Sequence, residues 1–379
     1  MNKWMKKYGL LVCVIITIIF VVLENNGFFA GKAGESKEAE ASSDQEVPGE
    51  ESSSYAMDIP YEYKADINGQ NQIDAAINVP DTVREEGFKK ASARMAEVPE
   101  TSILALLEEY YHPYEGEEYE SDRQYLGEDD LCLNFSKEYP EFSLYCRTAS
   151  YIGMAYRNQA TEDCNQGAYT IDQDLPNFPL SDCDRRIEEL FQTYGVESKL
   201  HIVHNTLDYR IMEREALELC SDGSQTKPDY KWSRNDDSYY CMVWQMCNGI
   251  PVTHGYMLTS YADILNRGSH NLVLNKERFL QINMTEVYDI RYSQEREALL
   301  GFEEVLERYA RITEAAAENY AIKITDIALR VTGVKEKSGE YRMEPIWIFY
   351  GIKTYGEEGI SAPFAIMIDA VTGDALWEL

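Results

Sequence analysis

Residues 345–351 read Pro345-Ile346-Trp347-Ile348-Phe349-Tyr350-Gly351, and residues 364–377 read Phe364-Ala365-Ile366-Met367-Ile368-Asp369-Ala370-Val371-Thr372-Gly373-Asp374-Ala375-Leu376-Trp377. Both apolar runs are short and rich in aromatic and β-branched residues, the composition of strands and not of helices. Between the last two strands, Asp369 can accept hydrogen bonds from nearby backbone amides, and Gly373 can take a positive φ. Ala370-Val371-Thr372-Gly373 therefore reads as a tight turn. Upstream, Phe302, Val305, Leu306, Tyr309 and Ile312 recur at helical spacing within 295–319. The end of the chain, 295–379, is thus read as one helix followed by antiparallel strands at about 322–332, 345–354, 363–369 and 374–377.

The same order of elements occurs once more before it. In 184–194, Ile187, Leu190, Phe191 and Tyr194 share a helix face, and Gly195 supplies a stop. Strands are expected at 199–204, 239–246, 256–259 and 272–282, with Asn248-Gly249-Ile250-Pro251 closing the second of them. Residues 183–294 form this first helix-plus-sheet unit. Residues 57–182 read as a mixed region, with helices over 82–96 and 101–111, an acidic loop over 114–130, and short strands and loops beyond. The fold class expected is α+β.

At the other end, residues 10–23 form an uncharged apolar run preceded by Lys3, Lys6 and Lys7. It reads as a transmembrane helix with the body of the protein outside the cytoplasm. Two alternatives stay open: a signal peptide cleaved near Gly31-Lys32-Ala33, with secretion, and lipid attachment at Cys13. Residues 25–56 are rich in Glu, Ser, Gly and Ala without hydrophobic period, an acidic disordered linker. Residues 1–24 are the anchor or signal segment.

The closing strands and their Asp369–Gly373 turn resemble PepSY-like domains. They are similar also to the YycH/YycI group of extracytoplasmic regulatory proteins, in which Asn248-Gly249-Ile250-Pro251-Val252 has a counterpart. The whole chain looks like an uncharacterised family of membrane-attached proteins from Gram-positive anaerobes. The resemblance implies two PepSY/YycI-like units and a binding or regulatory role toward an envelope or membrane protein partner. It carries over no catalytic residue.

The chain has 379 residues and a formal net charge of -31. That balance disfavours nucleic acid, a polyanion. There is no Gly-x-Ser-x-Gly elbow, no His-Glu-x-x-His and no phosphate loop, so no catalytic residue is assigned, and no cofactor. Asp66-Ile67-Asn68-Gly69-Gln70-Asn71-Gln72-Ile73-Asp74 starts like a calcium loop but lacks the glycine and final glutamate. Glu115, Glu117, Glu118, Glu120 and Asp122 form a solvated acidic run. His201 and His204 would face opposite sides of a strand, the wrong arrangement for a shared metal. No close cysteine pair marks a zinc site, so no metal is assigned. In an exported protein Cys132 with Cys146, and Cys164 with Cys183, are the disulfide pairs to test; buried thiols are the alternative. Cys241 and Cys247 lie too far apart on one strand to bond each other.

The function expected is that of a membrane-tethered, extracytoplasmic, non-enzymatic protein-binding or regulatory protein. The alternatives are an extracellular solute or glycan binder, for which Trp232, Trp244 and Trp347 are the informative residues, and a cell-envelope hydrolase.

Overall fold

The computed structural model describes residues 57–379 apart from 120, 159–162, 221–223, 254–269, 317–319, 356–359 and 379. Two apolar cores organise these residues, each under its own sheet.

The first sheet is antiparallel throughout. Its first four strands are β4 (Tyr114–Glu118), β5 (Asp122–Leu126), β6 (Cys132–Ser136) and β7 (Phe142–Tyr145). The other five are β10 (Thr170–Ile171), β11 (Leu200–Leu207), β14 (Ser238–Cys247), β16 (His270–Asn275) and β17 (Phe279–Met284). They lie in the order β4-β5-β6-β7-β17-β16-β14-β11-β10. Two short ladders stand apart: β8 (Arg157–Asn158) with β9 (Asp163–Cys164), and β12 (Glu218–Leu219) with β13 (Gln225–Thr226). Helices α2 (Glu100–Leu107), α3 (Arg147–Tyr156), α4 (Leu180–Gln192) and α5 (Tyr209–Glu215) contribute Ile103, Leu107, Ile152, Ile187, Leu190 and Met212 to this core. In α4, Cys183, Ile187, Leu190 and Phe191 form one inward stripe, the i, i+4, i+7, i+8 spacing of an amphipathic helix.

The second sheet is mixed. Long strands β19 (Tyr320–Lys335), β20 (Tyr341–Tyr355) and β21 (Ile360–Asp369) form an antiparallel meander, closed by β22 (Ala375–Glu378). Beside β19 run two parallel neighbours, β2 (Asn71–Asn78) and β15 (Ile250–Thr253). Strand β1 (Glu62–Asp66) pairs with β2 as a hairpin. Strands β3 (Phe88–Met95) and β18 (Tyr288–Glu297) form a ribbon that meets β20 at Tyr341 and Arg342. Helix α6 (Phe302–Ala316) lies against this sheet, with Tyr309 stacked on Phe349 at 4.5 Å and Phe302 beside Trp347 at 5.6 Å. The opposite face of β19–β21 is buried too, at Ala328, Ile346, Ile348, Tyr350, Ala365 and Met367. Burial on both faces explains the unbroken apolar run at 345–350.

The turn at the end of the chain forms as its sequence demands. Asp369 Oδ1 accepts from Val371 N at 2.7 Å and Thr372 N at 2.8 Å, and Gly373 has φ 75°. A second tight turn, Asn248-Gly249 with φ 55° and 75°, reverses β14 into β15. One hairpin thereby links the two sheets.

Several expectations need correction. The described residues are dominated by strand, with six helices, in large paired sheets that include parallel neighbours. That is not an α+β chain of two successive helix-plus-antiparallel-sheet, PepSY/YycI-like units. The reason is long-range pairing: residues 59–93 join the core of 302–370, more than 200 residues downstream. The helix expected over 82–96 is broken at Gly87, φ 75°, leaving the short α1 (Asp81–Glu86) and then β3. In β3 Ala91 and Ala93 face inward while Ser92 points to the solvent side, a period of two. The acidic loop at 114–130 contains strands β4 and β5. The strand expected over 256–259 lies outside the described residues.

The transmembrane helix expected near the N-terminus gains no support. Among the described residues no helix is long and apolar enough to cross a membrane. The run at residues 10–23 lies outside them.

Candidate functional site

Three elements converge on one buried cluster. Strand β11 places His204 directly opposite Cys241 of β14, and antiparallel partners in register project to the same face. Helix α4 lays its first turn over that face and brings Cys183 down onto it. Cys183 and Cys241 are fully buried and His204 is 5% exposed. The two Sγ atoms are 3.5 Å apart. The ligating atoms of Cys183, His204 and Cys241 all lie within 4.8 Å of one another.

Two carboxylates fix the imidazole. Nδ1 is 2.9 Å from Asp172 Oδ1, and Nε2 is 2.8 Å from Asp184 Oδ1. Asp172 is pinned to the same strand residue twice more. Its backbone N donates to the His204 carbonyl at 2.9 Å, and its Oδ1 accepts from His204 N at 3.0 Å. This needs the left-handed backbone at Asp172, φ 51°, which aspartate tolerates better than most residues.

The charges follow from these contacts. Burial pushes the imidazole toward neutrality, but hydrogen bonds to Cys183 and Asp172 outweigh it and raise His204 to about 9. The hydrogen bond with Cys241 pulls the Cys183 thiol down to about 7, against burial and with help from His204. Burial drives the Cys241 thiol up. Chemically, the cluster offers a thiolate–imidazolium pair, and its two sulfurs and one imidazole nitrogen are donors suited to a borderline-soft metal ion.

The residues singled out in the sequence fall elsewhere or in other roles. Cys132 and Cys146 are both free thiols. Cys132 lies beside Asn134 and Gln124 on the surface of β6, and Cys146 Sγ donates to the Leu280 carbonyl at 3.3 Å. Cys183 is free also; its near neighbour is Cys241, and the Cys164 side chain lies outside the described residues. Cys132 and Cys146 are therefore not bonded to each other, and the Cys164–Cys183 pair lies partly outside the described residues.

The Asp66–Asp74 stretch is the β1–β2 hairpin turn. Asp66 Oδ1 accepts from Gly69 N, and Asn68 Oδ1 from Asn71 N at 2.9 Å. Asp66 and Asn68 thus serve the turn, while Asp74 pairs with Lys64 at 2.9 Å and the Asn71 amide oxygen accepts from Tyr309. Glu115 and Glu118 sit on edge strand β4. His201, opposite Trp244, stacks on that ring at 5.5 Å and takes no part in the cluster. Of the tryptophans, Trp347 is fully buried, Trp244 is 8% exposed, and Trp232 packs partly buried against the first core. They form no exposed stacking platform.

The cluster escaped the sequence because its donors are 21 and 37 residues apart, at 183, 204 and 241. One signal was present. Cys183 lies on the apolar stripe of α4, and Cys241 and His204 lie in strands that the pattern already marked.

No family model and no curated protein matches the chain. Among solved structures, it is similar to an uncharacterised protein from Eubacterium rectale ATCC 33656, with a TM-score of 0.57 and 14% identity. The match covers 84% of this chain and 94% of that one. At that identity the likeness speaks to the fold alone.

Proposed function

We propose that the protein is a non-enzymatic protein-binding protein that recognises a partner with a basic surface. The observation that carries this reading is where the exposed aromatic surface lies. Among the described residues, six of the ten large hydrophobic side chains left exposed are tyrosines, a residue favoured at interfaces for its apolar ring and polar tip. Tyr119 and Tyr139, 48% and 64% exposed, sit on neighbouring hairpin tips at one end of the first sheet. Lys137 ties those tips together, donating its backbone N to Ser121 O and Nζ to Tyr119 O, each at 2.8 Å. The net charge of -31 supports the choice of a basic partner, because summed charge steers association. Location outside the cytoplasm remains part of the proposal and rests on sequence alone.

The test is capture of partners by the full-length protein, alongside Tyr119→Ser/Tyr139→Ser and, as a remote control, Tyr61→Ser. The expected result is salt-sensitive capture of a basic protein that the tip variant loses and the control keeps. Equal capture by all three proteins, or none by the wild type, would refute the reading.

A thiol hydrolase is the second reading, favoured by Cys183 held beside His204 and its carboxylates, as in Cys-His-Asp enzymes. Against it stands the complete burial of Cys183, which leaves no room for an acyl group. Rapid stoichiometric alkylation of Cys183 in the native protein would favour this second reading.

A further inference from the structure

We propose that Cys183, Cys241 and Nε2 of His204 bind a zinc-class divalent ion, with Asp184 closing the fourth position. The site clamps the first turn of α4 to the centre of the first sheet.

The donor set is the first argument. Two thiols and an imidazole are the ligands zinc selects, and tetrahedral Zn–S bonds of ~2.3 Å set the sulfurs about 3.8 Å apart. The observed separation is 3.5 Å, so little adjustment of either side chain is required. The carboxylates supply the second argument. A metal-binding histidine usually donates its other ring N–H to a carboxylate, which fixes the tautomer and the ring plane. Asp172 is so placed at Nδ1, 2.9 Å away, and is itself anchored through the backbone of β11. That leaves Nε2, 2.8 Å from Asp184 Oδ1, as the ring nitrogen to ligate an ion beside the sulfurs, the three donors lying within 4.8 Å of one another. Asp184 follows Cys183 on α4 and is partly exposed, so it can turn toward an ion without crossing the core. The third argument is polarity. The cluster lies among otherwise apolar neighbours, Ile187 on the helix stripe, Tyr239 and Val243 on β14, and Leu272 opposite Cys241 on β16. Titratable groups are costly to bury unless they are paired or bind a metal. A four-donor site with both thiols sealed from water matches a structural centre, since catalytic zinc keeps an open position. Entry of the ion displaces two protons into solvent, the Cys241 thiol proton and the one held between Cys183 and the His204 imidazole.

The experiment uses the full chain, purified under reducing conditions and stripped by a chelator. Zn2+ is added back, and bound metal is counted by elemental analysis. Co2+ substitution is followed through its sulfur-to-cobalt charge-transfer band and the intense visible bands of a tetrahedral ion. The wild type is expected to take up one ion per chain, shielding two thiols from a thiol reagent. Cys241→Ser and Cys183→Ser should abolish the charge-transfer band or halve it. Asp172→Asn should weaken affinity by about 10–100-fold without changing the band, whereas Asp184→Asn should change the cobalt geometry. Cys220→Ser, outside the cluster, should behave as wild type. The wild-type spectrum needs no variant to fold, so the result stands even if a cysteine variant unfolds. Absence of stoichiometric Zn2+, a Cys183–Cys241 disulfide that persists through purification under reducing conditions, or cobalt bands unchanged by loss of both cysteines would overturn the proposal. A spectrum identical in Asp184→Asn would overturn the fourth ligand.

Discussion

Gly351 is the position where a single methyl group should do the most damage. It lies on β20 opposite Ile324 of β19, beside a break in register at which Thr325 is an extra residue. A Cβ built on Gly351 would sit 2.0 Å from Lys323 O, 2.7 Å from Lys323 C and 2.8 Å from the Ile324 Cα, where ordinary contact begins near 3.4 Å. All three obstacles are backbone, so no side chain can swing aside. The strands must separate by more than 1 Å within the longest pairing of the second sheet, stretching the ladder bonds on either side. Overpacking in a core costs ~1–3 kcal/mol, and each weakened ladder bond adds about 1 kcal/mol. Gly351→Ala should therefore lose about 3–5 kcal/mol. Scanning calorimetry would read this as a fall of about 5 °C or more in Tm for a chain of this size. Gly153 is the matched control. It lies in α3 with nothing within 4 Å of an added Cβ, and Gly153→Ala should gain about 0.5–1 kcal/mol by stiffening the unfolded chain. If Gly351→Ala melts within a degree of the wild type, the close approach of β19 and β20 is wrong, and so is the register built on it.

A second test concerns the polar contact beneath α6. Asn71 is fully buried, accepting from Tyr309 Oη at 2.7 Å and donating to Thr313 Oγ1 at 2.6 Å. Tyr309→Phe keeps the ring stacked on Phe349 but strands the Asn71 oxygen, at a cost of about 1–3 kcal/mol in urea unfolding; no measurable loss would refute the bond. A third concerns pH. Burial raises Glu344 above the ordinary 4.5, against the pull of Arg342. The folded state thus holds that proton more tightly than the unfolded chain does. The group favours folding below its ordinary pKa, and that contribution is lost as pH rises through the raised one. Glu344→Gln should accordingly gain on the wild type in Tm between pH 4.5 and 7.5; a gap that is constant or shrinks with rising pH would contradict the burial.

The bulge at Thr325 shows how far local pattern reaches. Ile322 and Ile324 alternate inward, and then the inward residues become Ile327, Leu329 and Val331. This change of parity is visible in the sequence and marks an extra residue in the strand. The Asp369–Gly373 turn, helix α4 and the long strands near the C-terminus were likewise legible, because each depends on neighbours within a few residues. The antiparallel meander of β19 to β22 follows from strands that are close in sequence in the same way.

What the chain order alone left undecided is which distant segments meet. That β2 and β15 flank β19 in parallel depends on pairings across some 250 and 80 residues, and no local periodicity records them. Residues 88–95 took a strand and not a helix because β18 and the start of β20 were there to pair with them. The same holds for the cluster at Cys183, His204 and Cys241. Read from the sequence, His204 and Cys241 fell within two expected strands, and Cys183 fell one residue before the helix expected over 184–194. Only the tertiary structure, by docking one helix turn across two adjacent strands, brought the three to one point, because side chains from separate elements meet through packing and not through spacing along the chain.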